Sequence, residues 1–209
     1  MKRILLLVSI ILMSSCGSKK FNEKWLKKEA PASFKARFET TKGNFEIEAK
    51  REWSPNGVDR LYQLIKNDYY VDVAIFRVVP NFVAQFGIHN DSLINNSWKT
   101  KGVKDEPVIQ KNDSMTISFA RGGVNSRSNQ IFINLKENHR LDKLDFSGVT
   151  GFPVVAKVIS GQENILKFYD GYGDKLGRKQ DSISRFGNEF LRKKFPKVDY
   201  ITKAYILKK

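Results

Sequence analysis

The sequence predicts a mainly β, single-domain protein, an antiparallel barrel or sandwich behind an export signal. Three observations lead there. Short stretches in which every second residue is apolar recur from Phe34 to the C-terminal end. Loops rich in Gly, Asn, Asp and Ser separate them. Only two helical stripes stand out, one near each end, with no regular strand–helix alternation, which argues against a parallel α/β sheet. At 209 residues and 41% hydrophobic content, the chain is long enough for one sizeable core.

The chain begins with a basic "MKR", an apolar "ILLLVSIILM" and "MSSC" ending at Cys16. The apolar run is too short to span a bilayer but suits a secretion signal. With small residues before the cysteine, residues 1–16 resemble a bacterial lipoprotein signal, in which Cys16 would be the lipidated first residue of the mature protein. Met13 stands where that signal usually has Leu. Cys16 is the only cysteine, so an exported body would have no disulfide to stabilise it. Residues 17–33, "GSKKFNEKWLKKEAPAS", read as a basic tether whose lysines and aromatics suit a membrane surface. Gly17 and Ser18 carry no acidic inner-membrane retention signal, which favours the outer membrane.

The body, 34–209, opens with "FKARFET" and "NFEIEA", which alternate apolar and polar residues and read as a hairpin turning at Lys42–Gly43. Ser54 suits a helix N-cap and Pro55 the first helical position. Val58, Leu61, Leu64 and Ile65 then form a helical stripe. Strands follow at "AIFRVV", "FVAQFGI", "SMTISFA", "QIFIN" and "FPVVAKVI", with a polar connection of little periodicity at 89–113. "GYGDKLG", 171–177, reads as a loop. A second helix is drawn over Asp181–Phe195 with Ile183, Phe186, Phe190 and Leu191 on one side, weakened by Gly187 and stopped before Pro196. "YITKAYIL" is a last strand.

A formal charge of +15 gives non-specific attraction to anionic lipid, acidic protein or nucleic acid, and predicts no specific nucleic-acid partner. His89 and His139 lie far apart and the body has no cysteine, so no zinc site of ordinary spacing is expected. No G-x-S-x-G, H-E-x-x-H or phosphate-binding loop is present, and no cofactor is implied. "FRVVPNFVAQFGI" and "FARGGVNSRSNQIFIN" remain. Arg77 lies in the first, among apolar strand residues where a charge is costly unless it is paired or functional. Alternation puts Val83 and Gln85 on one face, opposite Phe82 and Ala84.

"FRVVPNFVAQFG" resembles the first signature of the cyclophilin-type peptidyl-prolyl isomerases, and "SFARGGVNSRSNQIFI" is similar to the second. "TTKGNFEIE" and "VVAKVISGQENI" extend the likeness over roughly 38–168. "GNEFLRKKFPKVDYITKAYI" is similar to an extension in a bacterial subset of that family, here beginning at about 169. The resemblance implies a closed eight-stranded antiparallel β-barrel capped by two α-helices, and catalysis of rotation about X-Pro bonds. It implies that Arg77 is catalytic and that Phe82, Val83, Phe132 and Leu141 form the proline pocket. Gln85 would be a polar partner of the arginine. Ala120, Arg121 and Gly122 would hold the residue before proline, and Gln130 would add a groove contact.

This sequence departs from the family pattern at Asn81 (usually Gly), Val83 (usually Met), Arg121 (usually Asn), Arg140 (usually aromatic) and Phe152 (usually His or Tyr). Arg121 and Arg140 are expected to favour acidic or carbonyl-rich peptides. The function read from the sequence is a monomeric, lipid-anchored isomerase in the bacterial cell envelope, facing the periplasm. Its partners would be unfolded or proline-containing envelope proteins. The alternative is a catalytically weak module of the same fold that binds proline-containing peptides.

Overall fold

The computed structural model describes residues 21–208. Cys16 and the signal segment lie outside the described residues. In chain order the elements are β1 (Ser33–Thr40), β2 (Phe45–Lys50), α1 (Pro55–Lys66), β3 (Val73–Ala74), β4 (Arg77–Val79), β5 (Val83–Phe86) and α2 (Ser92–Lys99). There follow β6 (Thr116–Phe119), β7 (Ile131–Asn134), α3 (Arg140–Lys143), β8 (Asp145–Phe146), β9 (Val149–Thr150) and β10 (Val154–Ser160). The chain ends with α4 (Gln162–Ile165), α5 (Gly173–Gly177), α6 (Gln180–Lys194) and β11 (Tyr200–Ile206).

Nine strands form one sheet in the order β3-β11-β1-β2-β10-β6-β7-β5-β4. The architecture is mainly β, as expected, but the sheet is a curled, open half-barrel of nine strands rather than a closed eight-stranded barrel. The predicted strand "AIFRVV" breaks in two. Its first part, β3, pairs with β11 and its second, β4, with β5, so the two sheet edges are joined by Ile75 and Phe76 of the chain and not by a ladder.

Alternation works as the sequence implies in β1 and β2, where Phe34, Ala36, Phe38, Phe45, Ile47 and Ala49 are all buried. They meet Val58, Leu61, Leu64 and Ile65 of α1 in the main core. Ser54 occupies the N-cap of α1, but its hydroxyl does not cap the helix. Glu106 does so from a distant loop, accepting from the Asn56 and Gly57 N–H groups at 2.7 and 3.2 Å. Ser54 and the fully buried Arg127 also donate to that carboxylate.

Two other segments differ from expectation. The polar stretch 89–113 contains α2, capped by Asp91 and anchored by the buried Trp98. The segment read as a tether is described from Phe21 onward, and this part lies along the body. A short 3-10 turn, Glu23–Lys27, brings Phe21 and Trp25 within 5.1 and 6.2 Å of the Trp98 ring, while Gln63 donates to the Leu26 and Lys28 carbonyls. In α6, Gly187 leaves helical geometry at φ 59°, and a Cβ there would stand 2.5 Å from Asn90 Oδ1. The break shifts the phase of the apolar stripe. Ile183 and Leu191 are buried against Ala74, Phe76 and Leu176, whereas Phe186 faces solvent.

Candidate active site

Strand register explains why residues far apart in sequence meet here. Arg77 lies opposite Gln85, and Gln85 opposite Phe132. Directly opposed residues of antiparallel strands share a face, so the three form one row across β4, β5 and β7. The tight turn between β4 and β5 needs left-handed backbone at Asn81 (φ 57°), a conformation that Asn, like the glycine of the family pattern, tolerates. β5 is followed at once by Gly87 (φ 116°), where a Cβ would lie 2.4 Å from the Asn129 carbonyl. Only glycine lets the two motifs pass this closely.

Beside the row is an apolar cluster, the candidate proline hollow. Val83, Phe132 and Leu141 are buried together, with Phe82, Ala120 and Phe152 packed against them. The Phe132 and Phe152 rings meet edge to face at 5.9 Å. The structure thus brings together the four residues expected to form a proline pocket, and Phe152 joins them. The walls of this candidate hollow are held by a buried asparagine network that the sequence reading missed. Asn138 donates to the Phe82 carbonyl and to Asn134 Oδ1, each at 2.9 Å. Asn134 donates to Asn112 Oδ1 at 3.0 Å, and Asn112 donates to Asp142 and to the Phe152 carbonyl at 2.8 and 2.9 Å. Asn112 and Asn138 lie in polar loops with no periodicity and Asn134 closes β7, so pattern carried no sign of the network.

Arg77 stands at the rim of the hollow, its side chain one quarter exposed and its guanidinium 5.4 Å from the Phe82 ring centre. Nη1 donates to Gln85 Oε1 at 3.2 Å and Nε to Asp174 Oδ1 at 2.6 Å. Gln85 in turn donates to Gln130 Oε1 at 2.9 Å. Arg140, though exposed, covers the Phe82 ring at 4.8 Å, so two cations lie against one aromatic ring.

A polar groove of about 420 Å³ passes Gln85, Ala120, Gly122 and Gln130 and reaches Gln180 and Asp181. The Ala120 N–H bonds the Gln130 carbonyl at 3.0 Å, and a side chain added at Gly122 would meet open space. Another backbone could approach closely there. Arg121 borders the groove, but its charge is engaged elsewhere. Nη1 donates to the Phe146 carbonyl at 2.6 Å, and Nη2 to those of Val149 and Gly151 at 2.7 and 2.8 Å. The guanidinium also stacks 4.3 Å from Phe152. Arg121 thus pins the β8–β9 hairpin, and the expected attraction of its charge for acidic peptides has no free group behind it.

Comparison with known proteins bears on the family and the fold. The model of the family described as "Cyclophilin type peptidyl-prolyl cis-trans isomerase/CLD" matches residues 35–188. A peptidyl-prolyl cis-trans isomerase of Acinetobacter baylyi is 27% identical over 139 residues, covering 66% of this chain and 73% of that one. A peptidyl-prolyl cis-trans isomerase-like 2 protein of Gibberella zeae is 34% identical over 119 residues, 56% of this chain but only 21% of its own length. The crystal structure of a cyclophilin-type isomerase of Cryptosporidium parvum superposes with a TM-score of 0.56 at 17% identity, over 85% of this chain and 99% of that one.

Proposed function

The chain belongs to the cyclophilin-type peptidyl-prolyl cis-trans isomerase family, and from that premise we propose that it catalyses rotation about X-Pro bonds in exported proteins. One observation carries the reading: a guanidinium held against Phe82 at the edge of the apolar cluster of Val83, Phe132 and Leu141, with Gln85 beside it.

The chemistry suits such a surface because no covalent bond is made or broken. Amide resonance sets a barrier of about 18–20 kcal/mol. A proline ring has no N–H to satisfy, so Phe82, Val83, Phe132 and Leu141 can take it without leaving a donor unpaired. Arg77 would then donate to the prolyl carbonyl, or to the prolyl nitrogen as it becomes pyramidal and regains its lone pair. A hydrogen bond from a charged donor contributes about 1.5–3 kcal/mol, equivalent to roughly ten- to a hundredfold in rate. Desolvation in the hollow, and a backbone grip at Ala120–Gly122, would supply the rest.

The test is a coupled proline-peptide isomerisation assay on the wild type and Arg77→Ala. The variant should lose about ten- to a hundredfold in kcat/KM while keeping its fold. Full activity in the variant would remove the mechanism, and an inactive wild type would leave a peptide-binding module. We also read the chain as a lipoprotein of the cell envelope, on the strength of the signal ending in Cys16. Incorporation of a labelled fatty acid should be lost in Cys16→Ser, and labelling that persists would overturn the anchor.

A further inference from the structure

The segment between α4 and β11 does more than extend the fold, for it reaches the site at two points. Asp174, at the start of α5, accepts from Arg77 Nε at 2.6 Å. Gln180, at the start of α6, accepts from Gln130 Nε2 at 3.0 Å. Between them run the bonds Arg77 to Gln85 (3.2 Å) and Gln85 to Gln130 (2.9 Å). Asp174, Arg77, Gln85, Gln130 and Gln180 therefore make one continuous line of side chains, begun and ended by the same segment. Gln85 and Gln130 each accept from one neighbour and donate to the next, and Gln180 accepts at the end.

We propose that Asp174 is a positioning residue for Arg77, and that residues 173–180 fasten the site's hydrogen-bond line at both ends. The substrate meant is the proline peptide of the function proposed above, on which the kinetic part of this inference rests. Asp174 itself is half exposed, and an ordinary surface pair of that kind fixes little. This pair differs because its backbone is held. Leu176, two residues on, is buried with Phe76, the residue just before Arg77. Gly177 lies so close that a Cβ there would stand 3.0 Å from Arg77 Cδ. The arginine stem is thus confined by α5 while its Nε is taken by the carboxylate. Nη1 keeps the bond to Gln85, and Nη2 has no partner among the described residues. Of the guanidinium donors, those left to meet a twisted amide are on the Nη groups, in a fixed direction.

The experiment compares wild type with Asp174→Ala, Asp174→Glu and Gln180→Ala in the full-length body. Two readouts are taken: proline-peptide kinetics, and the NMR signal of the Arg77 Nε–H, assigned by its loss in Arg77→Lys. Asp174→Ala should lower kcat/KM about fivefold, through kcat rather than KM, with thermal unfolding unchanged. Asp174→Glu should recover part of the loss. The Nε–H should exchange slowly in the wild type, fast in Asp174→Ala and at an intermediate rate in Gln180→Ala. A fast-exchanging wild-type Nε–H would overturn the proposal. So would unchanged or raised turnover in Asp174→Ala, the latter marking Asp174 as a brake on Arg77. A wild type without turnover would refute the isomerase reading alone, and the exchange of Nε–H would still decide whether the fastening exists.

Discussion

Arg121 offers a direct test of whether a groove arginine reads substrate charge or builds the groove. In Arg121→Met, similar volume is kept and the guanidinium is lost. Three carbonyls then lose their donor, but not at equal cost. The Phe146 and Val149 carbonyls are only partly buried and can turn to water, whereas the bond to Gly151 is buried. Leaving that one dry costs about 1–3 kcal/mol, and loss of the stack on Phe152 adds about 1 kcal/mol. Against this, Arg121 Nε is buried with no partner among the described residues, so removing it returns part of the loss. A net destabilisation of about 2–3 kcal/mol follows, measured by equilibrium urea unfolding. The ratio of turnover on peptides with Glu and with Lys before proline should stay the same. Unchanged stability together with a selective loss on Glu-Pro peptides would refute the assignment and restore Arg121 as a reader of charge.

Acid should weaken the fold in two steps. Burial lowers the His89 pKa below its usual 6.5, and its Nδ1 accepts the Asp91 N–H only when neutral. Stability is therefore whole above pH 6.5 and declines as pH falls through the folded value. Burial would raise Glu106, but the bonds from Ser54, the Asn56 N–H and Arg127 outweigh it and hold the carboxyl below 4.5, so a second decline begins below that pH. Urea midpoints that stay level from pH 7 down to about 5 would contradict the first step. Asn112→Ala should cost about 2–4 kcal/mol, because a fully buried amide that joins Asp142, Asn134 and the Phe152 carbonyl is lost. KM for proline peptides should rise with it, and an unaltered KM would show that the hollow keeps its shape without the network.

Local rules made much of the fold legible. Period-two burial in β1 and β2, and the stripe of α1, follow from the chain's own geometry. Errors arose where a distant partner decided the outcome. "AIFRVV" has the pattern of one strand, yet β11 and β5 each claim a different half of it. Ser54 has the chemistry of a cap, yet its hydroxyl is directed to Glu106, and that carboxylate caps the helix instead. Phe21 and Trp25 have the composition of a membrane tether, yet Trp98 supplies an apolar partner within the protein.

The same division runs through the site. Arg77, Gln85 and Phe132 could be placed together because they sit on short strands whose alternation fixes which face each residue presents, and the motif resemblance supplied the register. Asp174 and Gln180 had no such guide. "GYGDKLG" reads as a loop because it misses a dinucleotide-binding fingerprint by one residue and follows no parallel-sheet strand, and its short helix packs through Leu176 against Phe76. The position of a carboxylate on that helix is thus a consequence of packing 97 residues away in the chain. It follows that the row and the apolar cluster proposed to grip proline rest on strand register, whereas the carboxylate proposed to aim the arginine is in place only once the C-terminal segment has docked. Removal of the Asp174 side chain alone would keep the row and the apolar cluster but leave Arg77 Nε without its carboxylate.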